Sequence, residues 1–204
     1  MRLFVFTRHG ESAANVARVV SSDPAHGAGL TARGRTQARR LGAQIANLEI
    51  DLAVCTRFER TRETADLALR GRTIPRLIEP DLDEVNSGAF DGAPIRAYWA
   101  WREQHCSSAR FPGGESLDEA ARRYADGLQR ILVREEAVTL IVAHEHAIRH
   151  IVEAAGARAG SAMENALPYF FDEHAVRRAT HCLDALAPPR LAAPVAGIRC
   201  SRDG

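Results

Sequence analysis

Four apolar runs set the frame of the chain. Leu3 to Phe6 is short, continuous and rich in β-formers, with polar residues on both sides, which predicts a buried parallel strand. Asp51–Cys55, Thr73–Ile78 and Val138–Ala143 are read as three further strands. The segments between them change to helical spacing. Residues 11–20 fit a short helix. Thr31 is an N-cap candidate, and behind it Ala38, Leu41, Gly42, Ile45 and Leu48 recur on one helix face. Phe58–Leu69 reads as a helix closed by Gly71, and Ile95–Gln104 as another. Ser116-Leu117-Asp118-Glu119 has the form of a capping box, followed by an apolar stripe from Leu117 to Leu132. Ala147–Ala155 completes the set and ends at Gly156. Prolines and glycines break the chain at residues 21–29, 80–94 and 112–114.

Strands alternating with helices predict an α/β fold: a single three-layer α/β/α domain with a mostly parallel central sheet. The domain is expected over residues 1–187. The Pro/Ala-rich end, 188–204, lacks periodicity and is read as a flexible tail. There are no internal repeats.

Composition narrows the function classes. The chain has 204 residues and a net charge of +1, with 27 basic residues, all of them arginine. That balance supplies no general field for nucleic acid or an anionic membrane. Any anion must instead be recognised by local arginines or a protonated histidine. The N-terminal apolar run is too short for a signal peptide or a membrane span, and no later segment is long enough. The four cysteines, Cys55, Cys106, Cys182 and Cys200, lack paired metal spacing and read as free thiols of a cytoplasmic protein.

In open α/β sheets, ligands bind beyond the carboxyl ends of the strands. Two strands here end in unusual residues: Thr7-Arg8-His9-Gly10-Glu11 and Ala143-His144-Glu145-His146. If the two strands are neighbours, His9 and His144 meet at one sheet edge.

Six ordered blocks then resemble the histidine phosphatase superfamily, in its phosphoglycerate mutase-like branch. They are Arg8-His9-Gly10-Glu11 with Asn15; Leu30-Thr31 through Gly34 to Gln37-Ala38; Arg60-Thr61 with Thr64-Ala65; Leu82-Asp83-Glu84 with Gly88 and Phe90-Asp91-Gly92; Pro112-Gly113-Gly114-Glu115-Ser116; and Val142-Ala143-His144 with Ile148-Arg149. The set covers roughly residues 3 to 150. Two positions depart from the family pattern. Glu145 stands where glycine is usual, and Cys55-Thr56 replaces the usual serine at the head of the second arginine block.

The resemblance implies a metal-independent phosphatase with no cofactor, acting on a small-molecule phosphate ester, with a homodimer as candidate assembly. It implies His9 as the nucleophile that becomes phosphorylated. Arg8 and Arg60 would grip phosphoryl oxygens with planar, permanently charged forks. His144 would donate to a phosphoryl oxygen, and Asn15 would do so through its amide. Glu84 would be the general acid, a role that calls for a raised pKa. Glu145 would lie against the substrate, where a second carboxylate opposes phosphate binding.

Other readings stay open. A mutase would return the phosphoryl group to a second hydroxyl. Only about thirty residues separate the acid segment from the capped helix, which favours the compact phosphatase type. A catalytically weak phospholigand-binding protein is a further alternative. The zincin pattern fails because residue 148 is Ile, although His146 and His150 share a helix face. Residues 85–112, with Tyr98, Trp99 and Trp101, are expected to cover the site.

Overall fold

A computed structural model describes residues 2–158 and 163–186. The chain runs β1 (Leu3–Arg8), α1 (Ala13–Ala17), α2 (Ala32–Gln44), β2 (Leu52–Cys55), α3 (Glu59–Ala68), β3 (Arg76–Ile78), α4 (Ile95–Glu103), α5 (Leu117–Leu132), β4 (Val138–Ala143), α6 (Glu145–Ala154), β5 (Pro168–Asp172) and α7 (Glu173–Leu186). The strands form one sheet in the order β3-β2-β4-β1-β5. The first four are parallel, and β5 runs antiparallel along β1.

The three layers follow from the two-residue period of the strands. Phe4, Phe6, Leu52, Val54, Ile141 and Ala143 point to one face and join the core under α5, α6 and α7. Val5, Ala53, Cys55, Leu140 and Val142 point to the other face and meet Leu41, Ile45, Ala65 and Leu69 of the α2–α3 side. The three inner parallel strands, β1, β2 and β4, are therefore buried on both faces, which is why their sequences are continuous apolar runs rather than alternations, whereas the edge strand β3 is largely exposed. Full burial of a side chain such as Phe4 or Phe6 contributes roughly 1.5–3 kcal/mol.

Most element boundaries agree with the sequence reading. The capping boxes at Ser116 and Thr31's N-cap bond to Gly34 are both present. β1 extends two residues past Phe6, because Thr7 and Arg8 stay in register with Val142 and Ala143. β3 starts at Arg76 rather than Thr73: Pro75 has no N–H for the ladder, though its carbonyl accepts from Ala53. Strand β5 and helix α7 were not expected. The α7 segment does carry a helical spacing, with Ala175, Val176, Ala179 and Leu183 on its buried face, which the sequence reading left unassigned; β5 becomes a strand by pairing with β1.

No helix of the described residues is long and apolar enough to cross a membrane. Cys55, Cys106 and Cys182 are free thiols. Cys200 and the expected tail, 188–204, lie outside the described residues.

Candidate active site

Strands β1 and β4 are neighbours, and their last residues pair, Arg8 with Ala143. The next residues, His9 and His144, therefore leave the same sheet edge side by side. Their ring centroids are 5.4 Å apart, and both side chains are buried. The backbone of His9 is tied down from two directions. Its N–H donates to Ala143 O at 3.0 Å, and its carbonyl accepts from Asn165 Nδ2 at 2.8 Å.

Gly10 explains why the first block needs a glycine. A Cβ there would lie 2.5 Å from the carbonyl oxygen of Gly34, and a Cβ on Gly34 would lie 2.0 Å from Glu11 O. The start of α2 thus packs backbone to backbone against the turn that carries His9. Gln37 accepts from Glu11 N–H at 2.8 Å, and Thr64 accepts from Gly10 N–H at 2.9 Å. Three of the sequence blocks meet in this one turn.

The protonation of His9 follows from its partners. Nδ1 lies 2.7 Å from Gly10 O and must carry the hydrogen. Nε2 lies 3.0 Å from Arg60 Nε, a donor, so Nε2 presents a lone pair. Burial, then the charges of Arg60 and Arg8, hold His9 well below the ordinary imidazole pKa. The ring is neutral, with its unprotonated nitrogen facing a cation.

Arg60, in the first turn of α3, is itself buried. Its Nη2 is 3.0 Å from His144 Nδ1 and 3.0 Å from Ser21 O, and its Nη1 is 3.0 Å from Ser21 Oγ. The guanidinium also lies over the Phe58 ring, 4.2 Å from its centroid. Burial lowers its pKa to about 10, which still leaves it charged at neutral pH. His144 is neutral too, held well below its usual pKa by burial and by Arg60. Since Arg60 only donates, His144 Nδ1 accepts, and its Nε2 donates to Thr56 Oγ1 at 2.9 Å. Thr56 therefore supplies the hydroxyl at the head of the second arginine block.

Arg8 has a different partner from the one a phosphate site suggests. Its Nη1 donates to Met163 O at 2.8 Å and pairs with Glu145 at 2.8 Å. Its Nε is buried without a partner. Glu145 also reaches Arg149 at 3.5 Å. Asn15 completes the capping box of α1: its Oδ1 accepts from Ser12 N–H and Oγ. The amide nitrogen is the end left for a ligand.

Glu84 follows the short 3-10 turn Pro80–Leu82. Its Oε1 accepts from Val85 N–H at 3.0 Å and from His146 Nδ1 at 3.0 Å. Burial pushes its pKa up, but the His146 imidazole, with His144 and Arg60 behind it, more than offsets this and holds the carboxyl well below its usual range. The raised value expected from the sequence is corrected here: the carboxylate has a cationic partner that the sequence reading did not give it. Asp81 and Asp83, the neighbouring carboxylates, are engaged elsewhere. Asp83 pairs with Arg57 at 2.6 Å, and Asp81 pairs with Arg130.

These groups line a cavity of about 290 Å³, walled by Arg8, His9, Asn15, Arg60, Glu84, Glu145 and His146 and by the apolar Val19, Val20, Ile95, Tyr98 and Trp99. Tyr98 is buried, whereas Trp99 is half exposed. Trp101 turns away instead, stacking on His105 and packing against Phe111. His146 and His150 do not converge as a ligand pair. His146 bonds Glu84 and Tyr98 through its ring, while His150 Nδ1 bonds the backbone carbonyl of His146.

The residues that sequence reasoning missed are Ser21, Thr64, Asn165, Tyr98's hydroxyl and His146. Thr64 stood inside a quoted block. Ser21 and Asn165 carry no signal of their own, because they reach the site from distant loops.

Comparison with known proteins gives the family. The profile of the histidine phosphatase superfamily (branch 1) matches residues 4–177. The protein named Probable phosphoglycerate mutase GpmB from Erwinia tasmaniensis is 31% identical over 71% of this chain and 70% of its own. The adenosylcobalamin/alpha-ribazole phosphatase of Salmonella typhimurium is 32% identical over 71% of this chain and 74% of its own. The crystal structure of the alpha-ribazole phosphatase from Shigella flexneri superposes with a TM-score of 0.72 at 27% identity, covering 83% of this chain and 90% of that one. The fold, the paired histidines at one sheet edge and these matches together place the chain in the histidine phosphatase superfamily, branch 1.

Proposed function

We propose that this protein hydrolyses small-molecule phosphate monoesters through a phosphohistidine at His9. The observation that carries the reading is the Arg60 guanidinium lying between His9 Nε2 and His144 Nδ1. It marks the place of an anion beside a neutral, correctly oriented nucleophile. The buried, unpartnered Nε of Arg8 supports the same place.

The steps follow from the charges. His9 Nε2 attacks phosphorus, and the ester oxygen leaves. Arg60 and Arg8 turn their donors to the equatorial oxygens as charge builds there. Asn15 adds its amide N–H. His144 holds Arg60 in place and, when protonated beside the phosphoryl dianion, donates as well. Glu84 protonates the leaving oxygen and then draws a proton from the water that hydrolyses phospho-His9. Glu145 competes with phosphate for Arg8. Arg8 and Arg60 supply the positive charge that faces the phosphoryl group, so the proposed mechanism calls for no metal ion.

Hydrolysis is favoured over mutase chemistry by the short covering segment, in which only α4 and its flanking loops separate the acid segment from α5. The near-neutral net charge supports a small ester over nucleic acid or a membrane surface, in a cytoplasmic protein. A homodimer has its support at the sheet edge, where β5 exposes Phe170.

The test is a screen of phosphate monoesters with and without chelator, with a brief labelled incubation quenched without acid. Turnover that survives chelation, with acid-labile label on the His9 peptide, is expected. Full loss restored by one divalent metal, or label on a serine, overturns the mechanism. Transfer of the label to a second hydroxyl in preference to water makes the protein a mutase. Label without turnover makes it a phospholigand-binding protein.

A further inference from the structure

A carboxylate that is to protonate a leaving oxygen must hold a proton at working pH, yet Glu84 sits among cations that favour its ionised form. Its nearest partner resolves the difficulty. His146 Nδ1 is 3.0 Å from Glu84 Oε1, and on the far side of the same ring Nε2 is 3.0 Å from the Tyr98 hydroxyl. Carboxylate, imidazole and phenol form one chain along the cavity wall. The ring is held between two residues, Glu84 and Tyr98, and the Tyr98 ring lies edge-on to it with centroids 5.8 Å apart.

We propose that Glu84 and His146 work as one proton-donating unit, in which His146 is the positioning residue that stores the proton Glu84 delivers to the leaving oxygen. The inference rests on the reading of Glu84 as general acid. Two groups this close titrate as a pair, and the pair keeps one proton far above the range of a carboxyl alone. In the resting site the proton belongs to the imidazole, so both ring nitrogens donate, Nδ1–H to Glu84 and Nε2–H to the Tyr98 oxygen. A phosphate dianion entering beside Glu84 favours transfer of the Nδ1 proton to the carboxylate.

The step balances. The lone pair of His9 Nε2 forms the N–P bond as the P–O bond breaks, and its electron pair departs with the oxygen. Glu84 passes a proton to that oxygen, and His146 is left neutral. Water then attacks phosphorus, the N–P pair returns to His9, and the proton of water passes through Glu84 back to His146.

The surroundings of His146 are accounted for. On its own helix it faces Glu145, which favours the imidazolium, and Arg149 and the neutral ring of His150, which oppose or ignore it. From α4 come Tyr98 and, beyond it, Arg102. From the acid segment comes Glu84, and behind Glu84 lie His144 and Arg60. From α5 the buried Tyr124 ring sits beside His150, with Arg123 next to it. Burial lowers the pKa of His146, but Glu84 outweighs burial and the net direction is upward.

The test is the pH profile of single-turnover phosphoryl transfer from glycerol phosphate in His146→Asn, with the nitrophenolate burst as control. Nitrophenolate hardly needs a proton, so its burst should change little. With glycerol phosphate the alkaline limb should move to lower pH, giving a loss of roughly 10–10²-fold at pH 7.5 that recovers as the pH falls. Equal loss at every pH with both esters, or an unmoved profile, overturns the proposal. Glu84→Gln separates the two levels. If it slows both esters alike, the reading of Glu84 itself fails. If it slows only the glycerol ester while His146→Asn leaves the profile unmoved, only the pairing fails. A second readout needs no His146 variant. Nitrogen-15 histidine spectra of the wild type should show one imidazolium persisting above pH 6.5 and reverting to ordinary titration in Glu84→Gln. Its absence overturns the proposal.

Discussion

Arg60 Nε lies 3.0 Å from His9 Nε2, so a cation faces the nitrogen proposed to attack phosphorus. The contact does two things before any substrate arrives. It excludes a proton from Nε2, and it holds the guanidinium at the proposed place of the phosphoryl oxygens.

The pH dependence of the first half-reaction follows. Burial and the two arginines depress the pKa of His9, so the neutral, attacking form persists as pH falls through 6.5. The nitrophenolate burst should therefore keep its rate from pH 7 to 5.5, where an ordinary imidazole would be about 90% protonated. In Arg60→Ala one depressing charge is gone, and the acid limb should move to higher pH. A burst that falls tenfold by pH 5.5 in the wild type would contradict the assignment.

The three arginines around β2 and α3 should differ sharply. Arg60→Ala should cost on the order of 10²-fold or more with every ester, as for loss of an oxyanion donor. Arg62 is exposed and should be silent. Arg57 is exposed too, but it holds the buried Asp83 through Nε and its own N–H. Arg57→Ala should therefore lower stability by about 1–3 kcal/mol, the cost of stranding a buried acceptor, with a smaller effect on the burst. Urea unfolding and burst kinetics together separate the three.

Glu145 holds Arg8 at 2.8 Å, and phosphate must displace it. The pair is partly exposed, so its rupture costs ~1 kcal/mol or less. Glu145→Gln should lower both KM and the inhibition constant for inorganic phosphate by up to about fivefold, the equivalent of that energy. Unchanged phosphate inhibition would show that Arg8 is not used.

Gly10→Ala tests the packing under His9. The new Cβ would fall 2.5 Å from Gly34 O, which is backbone and cannot rotate aside. A loss of roughly 1–3 kcal/mol is expected from overpacking, together with a slower burst, because the turn that orients His9 shifts. A variant as stable and active as the wild type would mean that the turn yields freely.

Much of the site was legible before any coordinates, because its parts are local. Arg8 ends β1, His9 and His144 follow strands whose apolar runs are unmistakable, and Arg60 lies in the first turn of a helix. Asn165 and Ser21 were not legible. They contact His9 and Arg60 across 156 and 39 residues of sequence, through loops that carry no period. Strand β5 was missed for a related reason: its pairing with β1 is made by tertiary contact rather than by local propensity.

The sequence by itself determined the four parallel strands, helices α1 to α6, the caps at Thr31 and Ser116 and which residue types would stand at the carboxyl ends of β1 and β4. These depend on side-chain period and backbone preference over a few neighbours, which a chain carries wherever it folds. Only the tertiary structure decided the protonation of those residues. That β4 inserts between β1 and β2 puts His144 beside His9. That α3 packs behind them aims Arg60 at both. That α6 meets the acid segment gives Glu84 an imidazole partner and reverses the expected direction of its pKa. Charge and burial act through space at a few ångströms, and no spacing along the chain encodes which distant residue will supply them.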